Sequence, residues 1–264
     1  MTDKIPVSVF IIAKDEADRI GHTIRSVVDW VDEVYVIDSG SEDDTMKLSR
    51  ELGAHAVFNE WPGYGPQKNY GESLCRNDWL LNLDADEEVT PELRQQMEAL
   101  FAGETEPPLK AYGVTRKLMH FIEETGTYGM TDYPIRLYHK DHAGFKSSTV
   151  HDSVAAKTPE GEKSEILPGV LRHRCFRSYK HMVDKINFYS TMQAEDMFRK
   201  GRKPKTLRIV TEPFTTFLKA YFIRRYIARG VTGFLESVIY AFARTLRLAK
   251  ARALFIEAER ERKG

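Results

Sequence analysis

Hydrophobic and polar positions along the first 100 residues follow two alternating periods. The run Val7-Ser8-Val9-Phe10-Ile11-Ile12-Ala13 is rich in β-branched residues and predicts a buried strand. Polar Lys14-Asp15-Glu16 follows, then a helical segment with Ile20, Ile24, Val27 and Val28 on one face. Val34-Tyr35-Val36-Ile37-Asp38 predicts a second strand, ending in the turn Ser39-Gly40-Ser41-Glu42-Asp43-Asp44. A helix over 45–52 and a short strand over 54–58 come next. The loop Trp61-Pro62-Gly63-Tyr64-Gly65-Pro66 leads to a helix over 67–74. Trp79-Leu80-Leu81-Asn82-Leu83 then predicts a fourth buried strand, which runs into Asp84-Ala85-Asp86-Glu87-Glu88. Four such alternations predict an α/β fold: a mostly parallel sheet, helices on both faces, and a ligand crevice at the carboxyl ends of the strands.

Three acid-bearing segments fall at those ends: Lys14-Asp15-Glu16, Asp38-Ser39 and Asp84-Ala85-Asp86. If the last triplet continues the strand, Asp84 and Asp86 point to one side, where they suit a hard cation or its phosphates. Repulsion within such a cluster calls for a cation or ligand to relieve it. The competing reading is an Asp-rich approach to a helix that starts at Pro91 with Thr90 as N-cap. No Gly-x-Gly-x-x-Gly follows the first strand and no Walker-type Gly-Lys-Ser/Thr occurs, which argues against dinucleotide dehydrogenases and P-loop enzymes.

Periodicity changes in the last quarter of the chain. Phe214, Phe217, Leu218, Tyr221 and Phe222 form an apolar stripe beside Lys219, Arg224, Arg225 and Arg229. A second helix over 234–253 carries Leu235, Val238, Ile239, Phe242, Leu246 and Leu248 with Arg244, Arg247, Lys250 and Arg252. The pattern suits a helix in a membrane interface, a helix packed on the catalytic domain, or a dimer contact. Residues 257–264 read as a solvated, frayed end.

Composition adds two constraints. The chain has 264 residues, 42% of them hydrophobic and 11% aromatic, which suffices for a sizeable core. Its zero net charge conceals an asymmetry: residues 1–106 hold 9 basic against 23 acidic residues, and the remainder holds 30 against 16. The front and the tail therefore imply different partners. Cys75 and Cys175, the only cysteines, support neither a disulfide framework nor a zinc site, and a reducing cytoplasm is expected. The absence of a basic-then-apolar start or an apolar stretch of membrane-spanning length agrees with that address. The basic run over 200–205 has no accompanying nucleic-acid-binding module and reads as a solvated loop. His173 and six other scattered histidines show no metal-site spacing and read as structural.

The segments Phe10-Ile-Ile-Ala-Lys-Asp-Glu16, Val36-Ile-Asp-Ser-Gly-Ser-Glu-Asp-Asp-Thr45, Gln67-Lys68-Asn69 and Leu81-Asn-Leu-Asp-Ala-Asp-Glu87 resemble the family 2 glycosyltransferases. The nearest likeness is to the subgroup that adds a hexose to the inner core of lipopolysaccharide. The resemblance covers 5–100 and resumes at Asp132-Tyr133-Pro134-Ile135-Arg136-Leu137-Tyr138 and Val150-His151-Asp152. It implies a GT-A (Rossmann-like) catalytic domain over 1–205, with a nucleotide-sugar half over 1–106 and an acceptor half over 107–205. A basic helical extension would occupy 206–264. It further implies inverting transfer of a hexose, glucose from UDP-glucose, to a lipopolysaccharide core sugar.

In that scheme Lys14, Asp15, Glu16, Asp38 and Ser39 meet the nucleotide, Lys68 and Arg136 meet the phosphates, and Asp84 meets ribose. Asp86 and His151 would ligate Mg²⁺ or Mn²⁺. Asp132 or Asp152 would be the general base, Asp132 being favoured. Asp15 departs from the Asn-Glu usual there, and Asp38-Ser39 from the Asp-Asp of many relatives. The acceptor would be a lipid-anchored saccharide, which favours contact of the tail with the cytoplasmic face of the inner membrane. A polyprenyl-phosphate acceptor remains an alternative, as does a membrane-docking protein that binds nucleotide sugars without turnover. A homo-oligomer also stays open.

Overall fold

The apolar runs form strands where their β-branched content predicts them, and the acid-bearing segments fall at their carboxyl ends. The computed structural model describes residues 4–103, 105–122, 127–147 and 153–262. The chain divides into two compact units, one up to Cys175 and one from Phe176.

In the first unit the order is β1 (Ile5–Ala13), α1 (Ile20–Arg25), β2 (Val31–Asp38), α2 (Thr45–Glu51), β3 (His55–Phe58), α3 (Tyr64–Leu74), β4 (Trp79–Asp84), β5 (Glu87–Val89) and α4 (Pro91–Leu100). There follow β6 (Ala111–Met119), β7 (Thr127–Asp132), β8 (Ile135–His139), β9 (Ala143–Phe145), β10 (Val154–Ala156), α5 (Pro159–Glu162) and β11 (Ser164–His173). The main sheet runs β3-β2-β1-β4-β8-β6-β11-β5, with β7 on β6. Strands β1 to β4 are mutually parallel, as are β6 and β11. The antiparallel β8 joins the two parallel sets, and β5 pairs antiparallel with β11.

Alternation along the strands feeds two cores. Val9, Ile11, Val36, Leu81 and Leu83 pack on one face with Ile20, Ile24 and Leu93, whereas Phe10, Ile37 and Leu80 pack on the other with Tyr138 and Phe145. Helix α3 lies so close to that second face that a Cβ at Gly71 would come within 2.8 Å of the Phe10 ring and 3.0 Å of Ile37. Register aligns Ile12 with Asp84 and Ala13 with Asp38, so the two acids end adjacent rows of the sheet.

Two local readings are revised. Asp86 does not continue β4, because the strand ends at Asp84 and residues 85–86 form the turn into β5. The helix after Thr90 also forms: its hydroxyl accepts from Leu93 N at 3.4 Å, with Pro91 in the first turn.

The second unit contains α6 (Tyr179–Arg199), α7 (Thr206–Leu218), a π-helical turn at Lys219–Ile223, a 3₁₀ turn at Tyr226–Arg229, and α8 (Gly230–Glu261). Within this unit α6 packs on α8. The Lys250 ammonium donates to Asn187 O and Oδ1 (both 2.7 Å), Ser190 Oγ (2.9 Å) and Thr191 Oγ1 (2.7 Å), all on α6. The Phe198 and Phe255 rings stack edge-on at 5.0 Å. Helix α8 continues to Glu261, past the 257 at which fraying is expected from sequence. Among the described residues no helix is long and apolar enough to cross a membrane.

Candidate active site at the strand carboxyl ends

The turn after β2 is built around Asp38. This carboxylate is wholly buried and accepts from Gly40 N (2.9 Å), Ser41 N (2.8 Å) and the Ser41 hydroxyl. Its oxygens thus fix the turn that carries Ser39, whose hydroxyl accepts from Gln67 Nε2 at 3.1 Å. The segment after β1 is tied to the same turn. Asp15 adopts φ +54, donates its N–H to Ser41 Oγ (2.8 Å) and accepts from Glu42 N (2.8 Å). Glu16 N donates to Thr45 Oγ1 at 2.8 Å, and Lys14 is exposed beside them.

At the end of β4 the acids are met by cations of the chain itself. Lys68, fully buried on α3, donates to Asn82 Oδ1 (3.1 Å) and Asp84 Oδ1 (2.9 Å) and lies 4.8 Å over the Phe145 ring. Arg136 on β8 donates to Asn82 Oδ1 (2.7 Å), Asp84 Oδ2 (2.8 Å) and Glu87 Oε1 (2.5 Å). Arg116 on β6 reaches Glu87 Oε1 (3.0 Å) and grips Asp132 with both Nε (2.9 Å) and Nη2 (2.5 Å).

Asp86 belongs to a neighbouring set: its Oδ1 lies 3.2 Å from His173 Nε2 and its Oδ2 lies 3.4 Å from Arg19 Nη1. Arg19 also donates to Glu16 and to the carbonyls of Arg174 (2.8 Å) and Cys175 (3.4 Å), tying the segment after β1 to the end of β11.

These contacts outweigh burial. Desolvation pushes the Asp84 carboxyl up, but Arg136 and Lys68 hold it well below the usual carboxylate range. Asp86 is lowered in the same way, with His173 offsetting burial. Burial disfavours the His173 imidazolium, yet hydrogen bonds to Asp86 and Cys175 raise its pKa to about 10. Burial of Asp132 is offset by Arg116, and its pKa is lowered. The repulsion expected within the acid cluster is therefore relieved by Arg19, Lys68, Arg116, Arg136 and His173.

The sequence-level site residues thus divide. Asp15, Glu16, Asp38 and Ser39 form one linked wall with Lys14 exposed next to it in sequence, and Lys68, Asp84, Arg136 and Asp132 join one charge network with Asp86 beside it. His151 and Asp152 lie outside the described residues. Three members went unrecognised in sequence: Arg19, Arg116 and, read as merely structural, His173. Only the Glu16–Arg19 spacing carried a local signal.

The residues can also be tested against a divalent metal. Among the described residues no group of three or more His, Cys, Asp or Glu could hold one. Mg²⁺ asks less of the protein, taking one or two carboxylates and completing its shell with phosphate oxygens and water. The Asp86 carboxylate is one ligand of that kind, and the His173 imidazole, 3.2 Å from it, could join only after losing its proton.

Comparison with known proteins gives the chain a family. Residues 8–143 match the model of Glycosyl transferase family 2. An uncharacterized glycosyltransferase of Rickettsia typhi is 41% identical over 258 residues, 96% of this chain and 88% of that protein. The lipopolysaccharide core biosynthesis glycosyltransferase LpsC of Rhizobium meliloti is 27% identical over 278 residues, 96% of each chain. Among solved structures, Mycobacterium tuberculosis glucosyl-3-phosphoglycerate synthase in complex with Mn²⁺, UDP and glucosyl-3-phosphoglycerate is 25% identical with a TM-score of 0.36. That match covers 43% of this chain and 44% of that one.

Proposed function

The chain belongs to glycosyl transferase family 2 and is a glycosyltransferase of the GT-A type, and from that premise we propose that it moves a hexose from a UDP-sugar, glucose first among them, to a lipopolysaccharide core sugar with inversion. The observation that carries the site assignment is the pairing of Asp84 with Lys68 and Arg136 beside Asp86 and His173, at the carboxyl end of β4. The full-length similarity to LpsC supports the acceptor class.

In this reading Lys14, Asp15, Glu16 and Ser39 face the nucleotide, and Asp38 positions the turn that presents Ser39. Asp84 meets ribose while its cations Lys68 and Arg136 lend positive charge to the diphosphate side. Asp86 and His173 would hold Mg²⁺ or Mn²⁺, which supplies charge to the departing diphosphate when bound. Asp132 accepts the proton of the acceptor hydroxyl. Its carboxyl is ionised at neutral pH and more than half exposed, and Arg116 fixes its direction. Asp152 is the alternative base.

The helical unit supports contact with an anionic lipid surface on the cytoplasmic side of the inner membrane, where a lipid-anchored saccharide would be met. Leu207, Val210, Phe214 and Leu218 on α7, and Val231, Leu235, Val238 and Phe242 on α8, are exposed. Of these, Phe214, Leu218, Val238 and Phe242 line an apolar groove of about 460 Å³. Across residues 206–256 the acids are Glu212 and Glu236, both buried, against nine Lys and Arg. Exposed charge there is positive, as an anionic surface requires. A second copy of the chain is the competing occupant of that face.

The deciding experiment is a UDP-release screen of UDP-glucose, UDP-galactose, UDP-N-acetylglucosamine and, by GDP release, GDP-mannose, each with a lipid-linked core acceptor. Acceptor-dependent release from UDP-glucose is expected. Release that depends only on a polyprenyl phosphate would overturn the acceptor assignment.

A further inference from the structure

The basic run over 200–205, which reads in sequence as a solvated loop, walls a cavity of about 410 Å³ in the second unit. Its lining includes Met197 from α6, Arg202, Lys203 and Lys205 from the connection, Arg208 from α7 and Arg247 from α8. Five of these six side chains are cationic.

The acids nearby do not balance them. Lys203 pairs with Glu259 at 2.5 Å. A single carboxylate, Glu212, is shared by Arg244 (3.1 Å), Arg208 (3.3 Å) and, at the limit of an ion pair, Arg247 (3.9 Å). Asp196 is engaged by Lys200 at 2.8 Å and also faces Arg199 and Arg202. Neither Arg202 nor Lys205 forms a salt bridge among the described residues.

Arg247 is the most telling of the set. Its side chain is 15% exposed, its Nη1 reaches Gln193 only at 3.5 Å, and its Nε is buried without a hydrogen-bond acceptor. A buried donor left unbonded costs desolvation with no return, so a ligand acceptor there is favoured. Burial and repulsion from Arg244 and Arg208 also lower its pKa, which a bound anion would relieve. Helix α7 opens at this cavity with Lys205 as N-cap and no side chain capping its first turn. The N-terminal end of its dipole adds to the positive field.

We propose that this cavity is a binding site for a compact phosphate-bearing group, a phosphomonoester or diphosphate. A surplus of more than one positive charge matches a dianion better than a single carboxylate, and several guanidinium groups match phosphate geometry. Its lining has no aromatic ring for a base to stack on, which sets it apart from a nucleic-acid channel. The site lies apart in sequence from the catalytic residues and does not depend on the catalytic reading. The phosphate can come from a soluble compound or from a lipid headgroup.

The test is calorimetric titration of the full chain with inorganic pyrophosphate at fixed ionic strength, with UDP present throughout. Saturable binding is expected. The Arg202→Ala/Lys205→Ala double variant, two exposed substitutions, weakens it at least about tenfold while the helical circular dichroism of the fold is kept. Arg247→Lys, which keeps the charge and deletes the Nε donor, also weakens it. Absence of saturable binding, or equal binding by wild type and both variants, overturns the site.

A vesicle arm identifies the source. Preference for phosphatidic acid over phosphatidylserine at matched surface charge, lost in the double variant, assigns the headgroup of a lipid. Pyrophosphate binding without that preference assigns a soluble phosphate. A phosphatidic-acid preference that survives the double variant counts against the cavity.

Discussion

In the first unit Asp84, Asp86 and Glu87 lie within four residues of one another, and each faces a cation drawn from a distant part of the chain. In the second unit the proportions are reversed: Glu212 alone is approached by Arg208, Arg244 and Arg247, and most of the other cations face solvent. Both regions concentrate one sign of charge. The acidic one is internally compensated and buried, so its carboxylates are held in fixed directions by the cations around them. The basic one is under-compensated and open, so it is a surface or pocket that waits for an anion. A count of charges along the sequence sees the two as mirror images; burial and pairing make them different devices.

The sharpest way to break the first half of that comparison is Arg136→Met. This guanidinium serves Asn82, Asp84 and Glu87 at once, and its loss leaves carboxylates in a place that water reaches poorly. Removing one partner of a buried ion pair costs about 3–5 kcal/mol, and urea unfolding followed by tryptophan fluorescence should show a loss of that size. A change below about 1 kcal/mol would mean that the network is wetter than its geometry indicates. Trp30, Trp61 and Trp79 all lie in the first unit, so this signal reports on that unit alone.

The proposed chemistry supplies the next effect. Asp132→Asn should lower kcat for acceptor-dependent UDP release by about 100-fold or more while donor affinity stays unchanged. Undiminished turnover would transfer the base to Asp152. Asp86→Ala should cost a similar factor and remove the dependence on added Mg²⁺ or Mn²⁺. A variant that keeps both full turnover and metal dependence would refute the Asp86 assignment.

How much of this was legible in the sequence depends on how local each cause is. Strands β1, β2 and β4 and the acids at their ends could be read because apolar runs and turn residues are contiguous signals. The cations that complete the network could not: Arg19, Arg116 and His173 meet Asp86 or Glu87 only through tertiary packing. The Asp84-Ala85-Asp86 triplet shows the same limit. Strand alternation put both carboxylates on one side, but a turn at 85–86 sends them to separate partners. The packing of α6 on α8 was hidden for the same reason, because Lys250 and Phe255 on α8 hold α6, a relation between residues about 60 positions apart.

Acidification distinguishes the units next. The folded-state pKa values of Asp84, Asp86 and Asp132 lie below their ordinary values, so the unfolded first unit binds more protons than the folded one as pH falls. Its stability is therefore fully present above the ordinary carboxylate pKa of about 4 and is lost as pH drops through the lowered values. Tryptophan fluorescence should report unfolding in that window, and Asp84→Asn should flatten the dependence. A profile unchanged by that substitution would remove Asp84 as a source of the acid lability.

The smallest expected effect isolates what the comparison rests on. Lys68 Nζ to Asp84 Oδ1 and Lys180 Nζ to Asp184 Oδ2 are both 2.9 Å, so by distance the two pairs are identical. Their side chains are 0% and 29% exposed in the first pair, and 87% and 61% exposed in the second. Water screens the exposed pair, and ordering two long side chains offsets most of the remaining attraction. Lys180→Met should therefore shift stability by no more than about 0.5 kcal/mol, read as loss of helical circular dichroism in urea. Lys68→Met should cost several times as much in the fluorescence transition, because the Asp84 carboxylate and the Asn82 amide oxygen each lose a buried partner. Equal effects from the two substitutions would show that pairing distance, rather than burial, governs charge in this protein, and the contrast between its acidic frame and its basic surface would fail.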